Sequence, residues 1–242
     1  MLVALDFDGT VAPIVDDPTT AAATADARRA IDDLLETRAR VAVISGRPIS
    51  FLVAAFPDLR VELAGLYGVQ RRQGGVSWQH PSAARWKTAV SAAAAEVRVQ
   101  LPDVRLEVKD DLACTLHWRE TPWFEDEVRQ CAARLAQRYD LELVAARSAV
   151  ELLPPISAGK AAALADLARG EREVVYVGDD AADVSVMRWL AEARAAGRFA
   201  STLAAAVEST EAPSELYEAA DALIAGPDGV GDFLREIASS RR

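Results

Sequence analysis

Two carboxylates lie two residues apart near the start of the chain, directly after a short apolar run. They are Asp6 and Asp8 in the segment Val3-Ala4-Leu5-Asp6-Phe7-Asp8-Gly9-Thr10. An apolar run that ends near a glycine predicts a buried strand opening into a loop, and open α/β sheets bind ligands just beyond the carboxyl ends of their strands. Both carboxylates would project into that loop. The spacing therefore predicts a phosphoryl-transfer site, although a motif this short also occurs by chance.

A second group of carboxylates follows another apolar run, Val174-Val175-Tyr176-Val177-Gly178. Its members are Asp179, Asp180 and Asp183. Carboxylates packed together repel one another unless a cation lies among them, and Mg²⁺ is a hard cation that favours oxygen ligands. Each acid taken singly is also compatible with a solvated helix N-terminus, where acidic side chains are favoured. The two acidic groups taken together favour a Mg²⁺-dependent site.

Donors for phosphoryl oxygens are predicted at Ser45 and Lys160. Ser45 follows the strand-like run 41–44, so its hydroxyl and the neighbouring amides can bind phosphate before a helix begins. A serine that only caps the helix is the alternative. Lys160 lies at the start of a predicted helix, where a cation is unfavourable to the helix dipole. This position indicates a function, with an ordinary surface lysine as the alternative.

These residue types support a displacement in two steps. Asp6 would attack phosphorus and form an aspartyl-phosphate, which divides one difficult displacement into two easier ones. Asp8 would protonate the leaving oxygen and later take a proton from the attacking water. Mg²⁺ would offset the repulsion between carboxylate and phosphate. Its expected ligands are Asp6, the main-chain carbonyl of Asp8 and Asp179, supported by Asp180 and Asp183.

The elements that must position these residues follow an α/β pattern. Alternation of strands and helices is typical of parallel strands joined by helical crossovers. We therefore predict a doubly wound parallel-sheet core formed by residues 1–80 and 158–242. Its predicted strands are 2–6, 40–44, 61–64, 173–177 and short ones near 198–200 and 221–224; its predicted helices are about 20–38, 48–56, 159–169 and one after Asp183.

The pattern changes between the two parts of this core. Gly74-Gly75 indicates a hairpin turn. Ser82 is predicted to cap a helix that reaches about residue 99, and Thr121 with Pro122 to open a helix that reaches about residue 138. Residues 81–157 are interpreted as an inserted, smaller α/β cap. Its predicted strands are 104–109, 112–118, 141–145 and 149–153.

Composition restricts the class of partner. The 242 residues are 51% apolar and carry 27 basic against 37 acidic side chains, a net charge of -10. This balance supports a sizeable core and disfavours a nucleic-acid surface, which must neutralise phosphates. A strand rather than a basic leader follows Met1, and no apolar run approaches the roughly 18 residues that span a bilayer, so neither export nor membrane insertion is expected. Cys114 and Cys131 are predicted to be buried free thiols of a cytoplasmic protein, which we expect to be a monomer.

In chain order, four motifs resemble those of the haloacid dehalogenase superfamily. They are Asp6-Phe7-Asp8-Gly9-Thr10, Ser45, Lys160 and Gly178-Asp179-Asp180-x-x-Asp183. Within the superfamily the chain resembles trehalose-6-phosphate phosphatases, whose first two motifs are similar to residues 8–14 and to Ile44-Ser45-Gly46-Arg47-Pro48. The resemblance implies that Gly9, Gly46 and Arg47 contact the substrate. It is looser around Lys160, because Ala158-Gly159-Lys160-Ala161 replaces the usual Asp-Lys-Gly.

The predicted cap resembles the same family. Leu106-Glu107-Val108-Lys109, Leu116-His117-Trp118-Arg119 and the segment 150–155 are similar to strands that face the sugar in that family. The resemblance implies sugar binding by Glu107, Lys109, His117, Arg119 and Glu151. Long polar side chains suit this role because they can exchange hydrogen bonds with hydroxyl groups. The alternative is that alternate residues such as Glu107 and Lys109 lie on the exposed face of an antiparallel sheet.

The resemblance implies a Mg²⁺-dependent phosphatase that hydrolyses trehalose 6-phosphate to trehalose and phosphate. A phosphatase for a glucosylglycerol, mannosylglycerate or sucrose phosphate is the alternative within this class. The alternative from a different class is a non-catalytic regulatory protein that binds a sugar phosphate. Asp6, Asp8 and Asp179 disfavour that alternative, because binding alone requires no nucleophile.

Overall fold

The computed structural model describes residues 1–15, 17–146, 148–156, 159–210 and 212–240. The chain divides into two compact units. The first unit comprises Met1–Trp78 and Ala158–Arg242, and the second unit comprises Gln79–Ser157. The second unit is therefore an insertion in the sequence of the first.

Strands and helices alternate along the first unit, and the second unit lies between its two segments in the sequence. The strands are β1 (Leu2–Leu5), β2 (Arg40–Ile44), β3 (Val61–Gly65), β4 (Gln70–Gln73), β5 (Val76–Gln79), β6 (Arg105–Lys109), β7 (Ala113–His117), β8 (Glu142–Ala146), β9 (Ala149–Leu153), β10 (Glu173–Gly178), β11 (Ser201–Val207) and β12 (Ala222–Ile224). The helices are α1 (Ala25–Glu36), α2 (Ile49–Ala55), α3 (Lys87–Gln100), α4 (Glu125–Tyr139), α5 (Gly159–Leu167), α6 (Ala181–Ala195), α7 (Ser214–Ala219) and α8 (Gly226–Ser239).

The first unit is built on a sheet in the order β12-β11-β10-β1-β2-β3-β4-β5. The six strands from β12 to β3 run parallel to their neighbours, and β4 is antiparallel to β3. Gly74 and Gly75 have positive φ angles and form the turn between β4 and β5, as predicted. The α/β class and the parallel core sheet are confirmed.

Both faces of this sheet are covered by helices, which is why its central strands are continuous apolar runs. In β1, Val3 and Leu5 pack into a core with α1, α2 and α8. Leu2 and Ala4 pack into the opposite core with α5, α6 and α7. All four side chains are fully buried.

The chain crosses from β1 to β2 on one side and returns to β10 on the other. Leu5 is in register with Val43 of β2 and with Val177 of β10. The carboxyl ends of these three strands therefore lie side by side where the strand order reverses. In open parallel sheets this is the position of ligand sites.

The second unit contains an antiparallel sheet in the order β6-β7-β9-β8. One face carries an apolar cluster that it shares with α3 and α4. Both cysteines, Cys114 and Cys131, belong to this cluster as buried free thiols, as predicted.

Several predicted boundaries are wrong, each for a local reason. Residues 198–200 are not a strand: Gly197 ends α6 with a φ of 66°, and Phe199 packs with a ring separation of 5.9 Å on Trp189. The helix predicted after Asp183 begins at Ala181, because Asp180 caps it by accepting from the amides of Ala182 and Asp183.

Other differences lie at helix starts. The helix predicted from residue 20 begins at Ala25, where Thr24 Oγ1 accepts from the amide of Ala27 at 3.1 Å. Short 3₁₀ turns at Ala83–Trp86 and Pro122–Phe124 precede α3 and α4, and neither Ser82 nor Thr121 caps them through its side chain. Among the described residues, every helix is too short or too polar to cross a bilayer.

Candidate active site

Three predicted residues follow the adjacent strand ends. Asp6 follows β1, Ser45 follows β2 and Asp179 follows β10. Backbone bonds continue the sheet for one more residue, from the amide of Asp6 to the carbonyl of Val177 at 2.9 Å. All three side chains are at least 97% buried, with exposures of 3% for Asp6, 2% for Ser45 and 1% for Asp179. The sheet therefore gathers these side chains at one edge.

Lys160 reaches this edge from the first turn of α5. Its side chain is 3% exposed, and its Nζ lies 2.9 Å from Asp6 Oδ2 and 2.8 Å from Asp183 Oδ1. A longer contact of 3.4 Å joins Nζ to Asp180 Oδ1. Burial alone would lower the pKa of Lys160, but the carboxylates of Asp180, Asp183 and Asp6 raise it well above its ordinary value. The buried cation stays charged because carboxylates surround it.

Asp183 holds the loop that follows β10. Its Oδ2 accepts from the amides of Asp179 and Asp180 at 2.9 and 3.0 Å. Its Oδ1 accepts from Lys160 Nζ at 2.8 Å and from the Tyr176 hydroxyl at 2.5 Å. Burial raises the pKa of Asp183 to about 6, against the opposing effect of Lys160. This bonding makes Asp183 a support for the loop rather than a ligand with open coordination positions.

Carboxylate oxygens of Asp6, Asp179 and Asp183 lie within 4.8 Å of one another. Burial raises the pKa of Asp6 well above 3.8; Lys160 lowers it, and the carboxylates of Asp183, Asp180 and Asp179 raise it further. The single ammonium therefore leaves an excess of negative charge. Within this cluster Asp6 and Asp179 form an oxygen-only donor set, and this excess of negative charge fits a hard divalent cation such as Mg²⁺.

Gly9 lets the loop after β1 pass close to Asp179. Its φ is +79°, and a Cβ on Gly9 would lie 2.0 Å from Asp179 Oδ2. Any side chain there would displace the carboxylate, so glycine is required. Thr10 Oγ1 also donates weakly to Asp179 Oδ1 over 3.4 Å. Gly9 thus leaves room for the Asp179 carboxylate beside the loop.

Asp8 and Arg47 form a bidentate ion pair. Arg47 Nε lies 2.8 Å from Asp8 Oδ2, and Arg47 Nη2 lies 2.7 Å from Asp8 Oδ1. Arg47 is itself held by the carbonyl of Pro18 at 2.8 Å and by the ring of Phe51, whose centroid is 4.6 Å away. The structure places Arg47, predicted to contact substrate, against the predicted acid and base.

Gly46 lies close to Tyr67, a residue that the sequence motifs did not single out. A Cβ on Gly46 would lie 2.6 Å from the Tyr67 hydroxyl oxygen. Leu66 and Tyr67 both have positive φ angles, and the amide of Tyr67 donates to the carbonyl of Ser45 at 3.0 Å. Consecutive non-glycine residues in this region are strained, and such strain is found at functional sites. The glycines that flank these two residues, Gly65 and Gly68, were the sequence signal for this tight turn.

Four of the five predicted sugar-binding residues of the second unit share one sheet face, opposite the helices: Glu107, Lys109, His117 and Glu151. Cross-strand pairing aligns Glu107 with Thr115 and Thr115 with Glu151. Glu151 Oε1 accepts from Lys109 Nζ at 2.6 Å and from Thr115 Oγ1 at 3.1 Å, and His117 Nε2 lies 3.1 Å from Glu107 Oε2.

Two residues depart from this picture. Arg119 is exposed and lies two residues beyond β7, outside the strand predicted to end near it. Thr115 was not among the predicted residues, although its alternation with His117 places it on the same face. The strand pairing, which brings Glu151 beside it, is what identifies Thr115.

The fold is that of haloacid dehalogenase-like proteins. A haloacid dehalogenase-like hydrolase from Bacteroides thetaiotaomicron has a similar fold, with a TM-score of 0.65 at 17% identity over 98% of both chains. The C-terminal domain of trehalose-6-phosphate phosphatase from C. albicans matches with a TM-score of 0.81 at 22% identity, covering 98% of this chain and 91% of that one.

The chain belongs to the trehalose-phosphatase family, whose model matches residues 4–221. A trehalose-phosphate phosphatase of Mycolicibacterium paratuberculosis is 33% identical over 195 residues, which cover 75% of this chain and 49% of that protein. The chain thus spans about half the length of the curated relatives it matches. The resemblance stated from the motifs is confirmed.

Proposed function

We propose that the protein is a phosphatase that hydrolyses trehalose 6-phosphate to trehalose and inorganic phosphate. The observation that carries the proposal is the contact of 2.9 Å between Lys160 Nζ and Asp6 Oδ2, buried at the carboxyl edge of a parallel sheet beside Asp179. The Lys160 cation suits a nucleophilic carboxylate that must approach a phosphate dianion, because it offsets the repulsion between the two negative charges. Membership of the trehalose-phosphatase family supports the choice of substrate.

Asp6 acts as the nucleophile. One of its carboxylate oxygens forms a bond to phosphorus, the bond from phosphorus to the sugar oxygen breaks, and an aspartyl-phosphate results. Lys160, the Ser45 hydroxyl and the backbone amides after β2 face the phosphoryl oxygens. These groups counter the charge that develops during transfer, and they require little rearrangement because they are already buried and bonded.

Asp8 carries the proton in both steps. In its acid form it gives a proton to the leaving sugar oxygen, and as the carboxylate it takes one from the water that attacks the aspartyl-phosphate. Hydrolysis then releases phosphate and regenerates Asp6. Because Arg47 binds both oxygens of Asp8, it fixes where this carboxylate lies between turnovers.

Asp6, Asp179 and the main-chain carbonyl of Asp8 are the groups that would hold Mg²⁺. When bound, the cation supplies charge neutralisation between the nucleophilic carboxylate and the phosphate. Asp183 and Asp180 support this set through the loop after β10: Asp183 binds two amides of that loop, and Asp180 caps α6.

The polar sheet face of the second unit is proposed to select the sugar. Glu107, His117, Lys109, Thr115 and Glu151 present donors and acceptors on one face, which is suited to the many hydroxyl groups of a disaccharide. We place the reaction in the cytoplasm, since the free buried thiols fit a reducing compartment. We also propose that the protein is a monomer.

The test is release of inorganic phosphate, with and without Mg²⁺, from a panel of sugar phosphates. The panel contains trehalose 6-phosphate, glucose 6-phosphate, sucrose 6-phosphate and mannosyl-3-phosphoglycerate. We expect Mg²⁺-dependent release with a strong preference for trehalose 6-phosphate. The variant Asp6→Asn should remain folded and release no phosphate, and full activity in that variant would rule out the covalent route.

Other outcomes have distinct meanings. Preference for another sugar phosphate would keep the chemistry at Asp6 and reject the proposed role of the second unit. Tight binding of trehalose 6-phosphate by calorimetry, with no phosphate released, would establish a regulatory binding protein instead.

A further inference from the structure

Tyr176 places a hydroxyl behind the candidate site that the proposed chemistry does not use. It lies within β10 between Val175 and Val177, and its side chain is fully buried. The hydroxyl donates to Asp183 Oδ1 over 2.5 Å. A buried phenol is costly unless it is hydrogen-bonded, whereas phenylalanine would fill nearly the same space in an apolar strand. The hydroxyl therefore needs a reason beyond packing.

Asp183 connects this hydroxyl to the reacting groups. Its Oδ1 is shared by the Tyr176 hydroxyl and by Lys160 Nζ, and its Oδ2 by two backbone amides of the loop that carries Asp179. A carboxylate with two donors on each oxygen has one favourable orientation. That orientation fixes the nearest of the three carboxylate oxygens around the Lys160 ammonium.

The Lys160 ammonium is shared almost equally. Nζ lies 2.8 Å from Asp183 Oδ1 and 2.9 Å from Asp6 Oδ2. Without the phenol, the Oδ1 atom of Asp183 would keep the ammonium as its remaining donor among the hydrogen bonds described. Asp183 could then turn and draw Lys160 away from Asp6.

We propose that Tyr176 is a positioning residue, whose hydroxyl holds Asp183 so that the Lys160 ammonium stays beside Asp6, where phosphoryl oxygens arrive. This inference rests on the proposed phosphoryl transfer at Asp6. Tyr176 touches neither substrate nor Asp6 in this role and acts through Asp183 and Lys160 alone.

The test compares Tyr176→Phe with Tyr217→Phe. Tyr217 is a matched control in the same unit, since its hydroxyl donates to the carbonyl of Ser209 at 2.9 Å and accepts from the amide of that residue at 3.1 Å. Two quantities are measured with Mg²⁺ present: kcat and KM for trehalose 6-phosphate, and the Kd of orthovanadate by calorimetry. Vanadate is the probe because it mimics the five-coordinate phosphorus of the transition state.

For Tyr176→Phe we expect kcat to fall about tenfold and vanadate to bind about tenfold more weakly, the usual consequence of losing a hydrogen bond to a charged group. KM should change by less than about twofold, because an interaction that matters mainly in the transition state affects kcat. Tyr217→Phe should lose thermal stability and keep both kinetic constants and the vanadate Kd.

Unchanged kcat and unchanged vanadate affinity in Tyr176→Phe would overturn the proposal. If that variant does not fold, 3-fluorotyrosine at 176 replaces it, because this residue keeps the ring and strengthens the donor. We expect 3-fluorotyrosine at position 176 to change the affinity for vanadate, and 3-fluorotyrosine at position 217 to leave it unchanged. An unchanged affinity with 3-fluorotyrosine at position 176 would contradict the proposal.

The readouts also separate this inference from the proposed function. A wild-type protein that binds vanadate yet releases phosphate from no sugar phosphate would refute the substrate, while the vanadate comparison would still decide the role of Tyr176. A wild-type protein that does not bind vanadate with Mg²⁺ would overturn both.

Discussion

The ion pair between Asp8 and Arg47 sets a condition on proton transfer. In the proposed mechanism one oxygen of Asp8 must face the leaving group, but the Arg47 guanidinium binds both oxygens in this structure. Asp8 must therefore leave part of this pair when it acts as the acid, and it returns to a defined position afterwards. Arg47 is anchored by Pro18 and Phe51, so it can serve as a fixed reference for that movement.

We expect Arg47→Gln to slow reactions in proportion to their need for an acid. Turnover of trehalose 6-phosphate should fall by about 10- to 100-fold, because general acid catalysis contributes this much or more when the leaving group is an alkoxide. Turnover of p-nitrophenyl phosphate, whose leaving group needs no proton, should change by less than about threefold. Steady-state kinetics on both substrates measure the difference.

Arg28→Gln is the matched control. Arg28 also lies over a phenyl ring, that of Phe56 at 5.6 Å, and donates to the carbonyls of Ala23 and Ala55, but it does not contact Asp8. Arg28→Gln should lower the stability of the fold and leave the ratio of the turnover rates for the two substrates unchanged. An equal loss on both substrates in Arg47→Gln would show that Arg47 acts on the phosphoryl group or on folding instead.

We expect the buried charge of Asp6, the proposed nucleophile, to destabilise the fold in the absence of a metal ion. Its pKa lies well above 3.8, so the folded protein binds a proton more tightly than the unfolded chain does, and stability falls as the pH rises through this range. In chelator at pH 8, Asp6→Asn should therefore melt at a higher temperature than the wild type. The difference should shrink as the pH falls towards about 4, where an unfolded carboxyl group is protonated.

Saturating Mg²⁺ should raise the melting temperature of the wild type more than that of Asp6→Asn, because a ligand of the native state stabilises it by mass action. Thermal melts with chelator and with Mg²⁺ provide the comparison. A variant less stable than the wild type at pH 8 in chelator would mean that the bond from Asp6 to Lys160 outweighs the cost of burial.

At the scale of elements, α1 and α8 are joined by Asp26. Its Oδ2 accepts from Arg235 Nη2 on α8 at 2.7 Å, and its Oδ1 accepts from Arg29 Nη2 at 2.9 Å. Hydrogen bonds from Arg235 and then Arg29 lower the pKa of Asp26 to about 2. A lowered pKa stabilises the fold above the unfolded pKa, near 4, and this contribution is lost as the pH falls from about 4 to about 2.

Asp26→Asn should therefore lower the melting temperature at pH 6, by an amount that diminishes steadily below pH 4. Asp232→Asn is the control, because Asp232 binds the same Arg235 at 2.6 Å within α8, is 81% exposed and makes no bridge to α1. Parallel pH dependences for wild type and Asp26→Asn would contradict a linking role for Asp26.

At the scale of the whole molecule, each of the two units has its own proposed role. The strand ends of the first unit are proposed to carry out the chemistry, and the polar sheet face of the second unit is proposed to select the sugar. Substitutions in the second unit should then affect only substrates that carry a sugar.

Glu107→Gln tests this division. It weakens the contact of 3.1 Å with His117 Nε2 and removes a charged acceptor from the polar face. We expect KM for trehalose 6-phosphate to rise about tenfold, the usual effect of losing one hydrogen bond to a charged group, with p-nitrophenyl phosphate turnover unchanged. Glu125→Gln on α4, where the exposed side chain pairs with Arg129, is the control. Equal losses on both substrates would reject the division.

Much of the candidate site follows from local sequence because local sequence determines where strands end. The runs before Asp6, Ser45 and Asp179 are continuously apolar, which requires strands buried on both faces, and a parallel sheet then brings their carboxyl ends to one edge. Lys160 could be singled out because a cation at a helix N-terminus needs a compensating partner. The resemblance of the motifs added the family and the polar residues of the second unit.

Only the tertiary structure decided which of these groups bind one another. The pair between Asp8 and Arg47 spans 39 positions, and the bond from Lys160 to Asp183 spans 23. Tyr176 in an apolar strand gives no local signal for its hydroxyl, since its partner is chosen by the turn that returns Asp183 over β10. Periodicity and caps report on a segment's own backbone, whereas hydrogen bonds across the site depend on which elements become neighbours and how closely their backbones approach.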